Sequence, residues 1–319
     1  MIDRSNPQSV LVILGPTASG KTSVALLLAQ DLGGEIISAD ARQIYKFMDV
    51  GTAKPSKSQM EAVRHHFVDE LPPDQIFNAG EFGKWGRRII GEIFQRGNVP
   101  IVVGGSGLYV QALIDGFFDG PPADSSVREF LGKRLEQEGV EALWKDLHKI
   151  DPDAAVKMLP SNTRRIIRAL EVYSITGVRI SELQKTRIPE KLDAVIAGLN
   201  WERKLLYKRI ERRVDSMIGE GLVDEARDLL RRGYSPNLNA LQTVGYAEVF
   251  EYLKGDFSYE RMIELIKQNS RRYAKRQMTW FRKEKRIEWF DIQDEAELPR
   301  IARNIAARFR RKDEKQKHF

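Results

Sequence analysis

The chain has 319 residues, of which 42% are hydrophobic, enough for one large domain or for a domain with an inserted lobe. It has no cysteine, which excludes disulfides, thiolate metal sites and cysteine nucleophiles. The net charge of +7 is uneven, because residues 201–319 carry 28 Lys and Arg against 20 Asp and Glu, and this basic third indicates either a polyanionic partner or a solvated basic surface.

The first motif along the chain fits the phosphate-loop pattern G-x-x-x-x-G-K-[ST] at every required position. Its residues are Gly15, Pro16, Thr17, Ala18, Ser19, Gly20, Lys21 and Thr22. The apolar residues 10–14 before it predict a strand, and residues 23–30 after it predict a helix. Backbone N–H groups at such a helix start form an anion site, to which Lys21 adds a charge. The motif predicts a site for a di- or triphosphate without specifying which.

Residues 35–40 predict a second strand that ends at Asp40, on the edge where doubly wound sheets place their chemistry. Asp40 is either a base that takes a proton from a nucleophile or a turn former, and the pattern leaves both open. Further strands are predicted at residues 66–70 and 100–103, on either side of a helix at 78–95. This alternation predicts an α/β fold, a parallel sheet flanked by helices like that of P-loop NTPases.

Only helical patterns occur between residue 125 and about residue 187, which predicts an inserted all-helical lobe of residues 118–191. A strand at 194–199 returns to the sheet, so the core is discontinuous and comprises residues 1–117 and 192–319. The last third predicts helices at 204–221, 223–232 and 259–285 and an edge strand at 286–291. We expect the charged tail after Arg308 to be disordered.

Three groups of basic side chains are candidates for phosphate or RNA contacts. Arg164 and Arg168 share one helix face; the other groups are Arg209, Arg212 and Arg213, and, on the long helix, Lys267, Arg271, Lys275 and Arg282. Pairing of the first two groups with carboxylates such as Glu171 and Glu211 is the alternative. Tyr273 and Trp280, seven residues apart, are expected to be core residues rather than base-stacking ones.

A second acidic residue that organises Mg²⁺ commonly accompanies a phosphate loop, at the end of an apolar strand. Here the strand at 101–103 ends in Gly104 and Gly105, so Asp40 is the only acid at a predicted strand end near the loop. Thr17 is unusual within the loop, where its hydroxyl either bonds a phosphate oxygen or merely fits the turn.

Seven segments together resemble the tRNA dimethylallyltransferases, also called tRNA isopentenyltransferases. These segments are residues 15–22, 37–45, 48–55, 103–109, 164–172, 242–246 and 274–280, and they occur in the family's order. The resemblance is to the bacterial type, because a chain without cysteine cannot carry the zinc finger of eukaryotic members.

The resemblance implies transfer of the dimethylallyl group from dimethylallyl diphosphate to N6 of the adenosine 3′ of the anticodon in tRNA. Asp40 matches the general base, Thr17 the loop threonine and Arg213 an arginine that acts on the diphosphate. The phosphate loop would bind the diphosphate of the prenyl donor rather than ATP, with Mg²⁺ as cofactor and Thr22 as its ligand. The positions that match tRNA contacts are Asp40, Ala41, Arg42, Gln43, Ser106, Arg128, Arg164, Arg165, Ile166, Ile167, Arg168, Gln242, Thr243, Val244, Gly245, Tyr246 and Ala247.

Two other functions share some of these features. One is a phosphate-loop kinase of small metabolites that uses ATP, and the other is an RNA-binding protein that uses a nucleotide as a switch. The basic C-terminal third and the glycines after residue 103 argue against the kinase. We expect a cytoplasmic monomer without a membrane partner, because no apolar run reaches bilayer length and the polar start does not resemble a signal peptide.

Overall fold

The computed structural model describes residues 9–118, 120–185 and 192–317, with side chains as far as residue 312. Six strands form one sheet, in which every pair of neighbours is parallel: β1 (Val10–Leu14), β2 (Gly34–Ser38), β3 (His65–His66), β4 (Val99–Gly104), β5 (Ala194–Trp201) and β6 (Glu288–Ile292). Their order is β3-β2-β4-β1-β5-β6. The predicted α/β fold with a parallel sheet is confirmed.

Helices flank the sheet and fill the rest of the described chain. Their bounds are α1 (Lys21–Leu32), α2 (Lys57–Ala62), α3 (Ala79–Gln95), α4 (Gly107–Asp115), α5 (Ser125–Glu138), α6 (Val140–Ile150), α7 (Pro152–Ala155), α8 (Thr163–Thr176), α9 (Ile180–Leu183), α10 (Arg203–Gly219), α11 (Leu222–Arg231), α12 (Tyr246–Lys254), α13 (Tyr259–Phe281) and α14 (Leu298–Lys317). None of the helices in these ranges combines the length and apolar character needed to cross a bilayer.

Two predicted segments differ from the structure. The third strand is two residues long instead of five, because Phe67 and Asp69 have φ angles of 61° and 59°, which no strand accommodates. The prediction of a disordered tail after Arg308 is wrong for the described residues, since α14 continues to Lys317. Phe309 is buried in the core, and Arg310 forms an ion pair of 2.9 Å with Asp31 of α1. Both contacts hold the tail in helical form.

One hydrophobic core lies between the sheet and the helices α1 and α14. All five residues of β1 are buried, as expected for the inner strand of a parallel sheet. Val24 and Leu28 of α1 and Ile301 and Ile305 of α14 belong to the same cluster. The phosphate loop therefore lies between the buried strand β1 and the helix α1, whose inner side is packed in the core, and both elements fix its position.

The chain divides into two compact units. The first extends to Ile114 and resumes at Leu192, and the second comprises the residues between them in sequence. The predicted core, residues 1–117 and 192–319, has nearly the same limits. The second unit is helical and has a core of its own, which includes Leu143, Leu147 and Ile166. We call this second unit the helical lobe.

Candidate active site

The phosphate loop, residues 15–22, is shaped by its glycines. A Cβ atom at Gly15 would lie 2.5 Å from Ser19 Oγ, and Gly20 has a φ angle of 84°, so both positions need glycine. The Ser19 N–H donates to the Pro16 carbonyl at 3.2 Å and closes the turn. Within the described residues no side chain caps the N-terminus of α1, and the buried Ser19 Oγ has no hydrogen-bond partner. The loop thus offers unpaired donors to an anion.

Two side chains from β5 and α10 support the loop on one side. Trp201 Nε1 donates to the Ser19 carbonyl at 2.9 Å, and Arg209 Nε donates to the Ala18 carbonyl at 2.8 Å. The Arg209 guanidinium lies 4.3 Å from the centroid of the Trp201 ring and pairs with Glu295 at 2.7 Å. These two hydrogen bonds fix the carbonyls of Ala18 and Ser19 and hold the backbone of the loop in place.

Gln277 of α13 supports the loop on another side, and sequence analysis did not assign it to the site. Its Oε1 accepts from the Thr17 N–H at 2.8 Å, and its Nε2 donates to the Gly105 carbonyl at 3.0 Å. A Cβ at Gly105 would collide with this amide, and a Cβ at Gly104 would collide with the Ala39 carbonyl. The end of β4 therefore has no space for the acidic side chain that a kinase would need there. The only sequence signal for Gln277 is its place within the segment 274–280.

Asp40 follows β2 and faces two cations. Its Oδ1 accepts from the Arg42 N–H at 2.9 Å. The carboxylate therefore stabilises a turn, which is one of the two roles predicted for Asp40. Burial and the charge of Arg213 lower the pKa of Lys21 to about 8, while the charge of Asp40 acts in the opposite direction. Burial also lowers the pKa of Arg213, again against the effect of Asp40. These mutual effects show that Asp40, Lys21 and Arg213, predicted from three distant segments, lie within electrostatic reach of one another.

Tyr273 of α13 lies close to the same group. Burial, followed by the charge of Asp40, raises the pKa of Tyr273 to about 12, so its hydroxyl remains protonated at neutral pH. The predicted position of Tyr273 in an apolar stripe is only partly right, because its side chain is half-buried whereas Ile266 is fully buried. Tyr273 thus contributes a neutral hydroxyl near the Asp40 carboxylate.

The segment from Asp40 to Gln43 is half-buried at the carboxyl edge of the sheet. Gln43 is held within the protein, since its Oε1 accepts from Ser38 Oγ at 2.9 Å and its Nε2 donates to the carbonyls of Thr52 and Ala53 at 3.3 and 3.1 Å. The Ser106 N–H donates to the Ala39 carbonyl at 3.3 Å, which brings the glycine turn beside this segment. Asp40, Gln43 and Ser106 are therefore neighbours along one edge.

The turn of residues 242–247 leads into α12. Gln242 is exposed, and its Nε2 donates to the Pro236 carbonyl at 2.8 Å. Thr243, Val244 and Ala247 are half-buried. Tyr246, in contrast, has a fully buried side chain whose hydroxyl donates to Glu225 at 2.5 Å. Within this turn, Tyr246 is placed to support the structure rather than to meet a ligand.

The predicted arginines of the helical lobe fall into two classes. Arg128 and Arg168 bond the fully buried carboxylate of Glu171, at 2.8 and 2.7 Å, as the alternative interpretation expected for Arg168. Arg164 and Arg165 are exposed. Ile166 is fully buried in the core of the lobe and Ile167 is half-buried against it, so neither offers a free side chain. Arg164 and Arg165 are the two of this set that present open cationic surface.

The basic face of α13 is also partly neutralised. Arg271 forms an ion pair with Glu211 at 2.6 Å, and Lys267 forms one with Asp215 at 2.6 Å. Glu211 was expected to pair with an arginine of its own helix, and it pairs with α13 instead. Lys275 and Arg282 are exposed, and among the described residues neither side chain forms an ion pair. Only part of the predicted surface is therefore free to bind a polyanion.

Comparisons with known proteins identify the family. A sequence profile of the IPP transferase family matches residues 43–284. The tRNA dimethylallyltransferases of Pelotomaculum thermopropionicum and Geobacillus thermodenitrificans are each 46% identical to the chain; they cover 96% and 95% of it, and the matches span 98% of each relative.

Solved structures give the same result. The full-length tRNA isopentenylpyrophosphate transferase from Bacillus halodurans is 41% identical, with a TM-score of 0.71, and the match covers 98% of this chain and 100% of that one. A eukaryotic dimethylallyltransferase acting on tRNA is 29% identical, with a TM-score of 0.79 and coverage of 93% and 78%. The chain thus belongs to the tRNA dimethylallyltransferase family and is a prenyltransferase with a P-loop NTPase-like fold.

Proposed function

We propose that the protein transfers the dimethylallyl group of dimethylallyl diphosphate to N6 of the adenosine 3′ of the anticodon in tRNA and releases diphosphate. The observation that carries this proposal is the position of Asp40, one carboxylate facing Lys21 and Arg213 beside the phosphate loop. The cations suit the anionic leaving group, and the carboxylate suits a nucleophile that must lose a proton.

The phosphate loop holds the diphosphate of the prenyl donor. The N–H groups at the start of α1, the unpartnered Ser19 hydroxyl and Lys21 provide donors, and Arg213 adds a second positive charge from α10. Gln277 accepts from the N–H of Thr17, which fixes the backbone of this residue in the loop. Negative charge grows on the diphosphate as its bond to carbon breaks, and cations fixed in advance stabilise that change most.

The residues present fit a magnesium ion that would be held by one protein oxygen together with the bound diphosphate. No cluster of three or more His, Asp and Glu side chains within the described ranges would hold a metal alone. Mg²⁺ normally keeps several waters and takes only one or two protein oxygens together with substrate phosphates. Thr22, half-buried on the first turn of α1, is the ligand that we propose. The ion would add positive charge to the leaving diphosphate.

Asp40 acts as the general base. The N6 amine attacks C1 of the dimethylallyl group, a C–N bond forms, and the electron pair of the breaking C–O bond leaves with the diphosphate. The proton released from N6 passes to the Asp40 carboxylate, one of whose oxygens is already fixed by the Arg42 N–H. The adenine must leave the anticodon stack to reach this carboxylate, at a cost of a few kcal/mol.

Exposed and half-exposed groups are the proposed tRNA contacts. In the core these are the segment 40–43, Ser106 and Lys275, together with the four residues of the turn 242–247 that are not buried: Gln242, Thr243, Val244 and Ala247. In the helical lobe they are Arg164 and Arg165, because Arg128 and Arg168 are occupied by Glu171. Contacts to phosphates would offset the cost of moving the adenine.

A labelling experiment tests this proposal against the kinase. The purified protein is incubated with unmodified tRNA, Mg²⁺ and either radiolabelled dimethylallyl diphosphate or radiolabelled ATP. We expect label in tRNA only from the prenyl donor, and none in a transcript with guanosine in place of the adenosine 3′ of the anticodon. Turnover of ATP without prenylation would overturn the proposal, and equal labelling of the guanosine transcript would overturn its assignment to N6.

A further inference from the structure

Glu225 of α11 accepts hydrogen bonds from the backbone of a loop that is distant in sequence. Its Oε2 accepts from the N–H groups of Asp49 and Val50 at 2.7 and 2.8 Å, and its Oε1 accepts from the Gly51 N–H at 2.9 Å. Three successive N–H groups that converge on one anion form a nest, which elsewhere binds a phosphate. Here the protein fills the nest with its own carboxylate.

Tyr246 completes the arrangement from α12. Its hydroxyl donates to Glu225 Oε1 at 2.5 Å, and its fully buried ring lies so close to Gly51 that a Cβ there would collide with it. Burial and the neighbouring Glu225 raise the pKa of Tyr246 well above its ordinary value, so the hydroxyl remains a donor. Glu225 therefore accepts four hydrogen bonds and joins the loop to the first residue of α12.

The loop that Glu225 holds is bonded in turn to the segment of the catalytic base. The carbonyls of Thr52 and Ala53 accept from Gln43 Nε2, and the opposite end of that amide accepts from Ser38 Oγ on β2. Lys54 stabilises the same loop by ion pairs with Asp49 and Asp69, at 2.6 and 2.8 Å. A continuous set of hydrogen bonds thus leads from the turn 242–247 to Gln43, three residues after Asp40.

We infer that Glu225 and Tyr246 are positioning residues for tRNA modification, which set the segment 40–43 and the turn 242–247 at a fixed distance from each other. The inference rests on the proposed function, because both stretches are proposed tRNA contacts. Neither residue needs to touch the tRNA. Their effect is that the adenosine, once bound, meets Asp40 in the orientation that reaction requires.

Glu225→Gln and Tyr246→Phe test the inference. Glutamine keeps the size of the side chain but turns an NH₂ group towards backbone donors, and phenylalanine removes only the hydroxyl. Asp224→Asn and Tyr252→Phe are matched controls on the same two helices: Asp224 is exposed, and the Tyr252 hydroxyl forms no hydrogen bond within the described residues. We expect kcat for tRNA prenylation to fall about tenfold in Glu225→Gln and less in Tyr246→Phe.

Three further measurements separate positioning from general stability. We expect the Kd for dimethylallyl diphosphate to match the wild-type value, kcat per folded molecule to stay low even where the Tm lies well above the assay temperature, and hydrogen exchange to rise at residues 40–53. A lower Tm with unchanged kcat per folded molecule, or unchanged exchange at residues 40–53, would overturn the inference. A wild-type protein that prenylates no tRNA would contradict the proposed function instead, and the exchange measurement would still test whether the two residues hold the loop.

Discussion

Gln277 Oε1 accepts a hydrogen bond of 2.8 Å from the backbone N–H of Thr17, although the two residues lie 260 positions apart. The other end of the same amide donates to the Gly105 carbonyl at 3.0 Å. One buried side chain therefore spans the phosphate loop and the turn after β4. Only an amide provides an acceptor and a donor in this arrangement.

Gln277→Glu should weaken binding of dimethylallyl diphosphate by about tenfold or more, because it loses the donor to Gly105 and adds negative charge beside the anion site. Isothermal titration calorimetry of the donor without tRNA measures the effect. Gln268→Glu, on the same helix, is the control for added charge on α13. Equal affinities of the two variants would contradict a role for Gln277 in shaping the loop.

Asp40→Asn should abolish prenylation while tRNA affinity stays nearly the same. Asparagine keeps the size of the side chain and an oxygen for the Arg42 N–H, but it cannot take a proton from N6. Single-turnover kinetics and filter binding of tRNA give the two quantities. Asp74→Asn, an exposed aspartate, is the control. A large loss of affinity would make Asp40 a binding residue instead of a base.

Binding of dimethylallyl diphosphate should weaken as the pH rises above about 8, the pKa of Lys21 in the free protein. The anion favours the charged lysine, so binding above that pH takes up a proton, which calorimetry in buffers of different ionisation enthalpy detects. Lys21→Arg should remove this proton uptake, since arginine stays charged. Unchanged proton uptake in that variant would assign the titration to another group.

Lys21 also makes stability depend on pH. Its folded pKa of about 8 lies below its ordinary value of 10.5, so between these values the unfolded chain binds more protons. The free energy of unfolding contributed by this group therefore rises with pH from about 8 to 10.5. Urea titrations at several pH values in this range give the free energy of unfolding of the wild type and of Lys21→Met. This free energy should rise more steeply with pH in the wild type, and an equal pH dependence in the two proteins would contradict the low pKa.

Lys275→Gln should weaken tRNA binding and reduce its salt dependence by about one counterion, whereas Arg271→Gln should change that dependence much less. Lys275 is exposed, but the charge of Arg271 is already balanced by Glu211 at 2.6 Å. Filter binding at several salt concentrations gives the two slopes. Equal slopes for both variants would show that the ion pair opens when tRNA binds.

Glu171→Gln should destabilise the helical lobe by about 2 kcal/mol, because it removes the charge that balances Arg128 and Arg168. Burial alone would raise the pKa of Glu171, but hydrogen bonds from Arg168, the Asp124 N–H and Arg128 lower it. This stabilisation is therefore present above the ordinary value of 4.5 and is lost at lower pH.

Hydrogen exchange of the lobe, in the wild type and in Glu171→Gln at pH 7 and pH 4, measures this effect. Glu182→Gln, an exposed position in the same lobe, is the control. Equal protection of the lobe in the wild type and in Glu171→Gln at pH 7 would show that the ion pairs add nothing to stability.

The sheet and the phosphate loop were predictable because their signals are local. Apolar runs such as Val10–Leu14 give strands, and the glycines of the loop lie within a few residues of one another. The role of Asp40 came from the resemblance to a family, since its position at a strand end fits a turn equally well. The contacts of Gln277, Trp201 and Arg209 with the loop were not predictable, because only the folded chain brings these residues to it, and the sequence marked Arg209 only as a candidate contact to phosphate or RNA.

The prediction of a disordered tail was wrong for a related reason. The residues after Arg308 are strongly charged, and that composition indicates disorder when it is considered alone. Phe309 and the ion pair between Arg310 and Asp31 stabilise helix α14, and their partners lie at the opposite end of the sequence. Charge composition carries no information about such contacts.

The packing of α14 on α1 also has a consequence for synthesis of the protein. Arg310 donates a hydrogen bond to the carbonyl of Asp31, which lies 279 positions earlier in the sequence. The side chain of Leu298 occupies the space beside Gly20 of the phosphate loop, where a Cβ atom would collide with it. During translation α1 leaves the ribosome early, whereas α14, which covers its apolar side, is synthesised much later. A nascent chain is therefore exposed to aggregation at α1 until α14 has left the exit tunnel, and chaperone binding should be strongest in that interval.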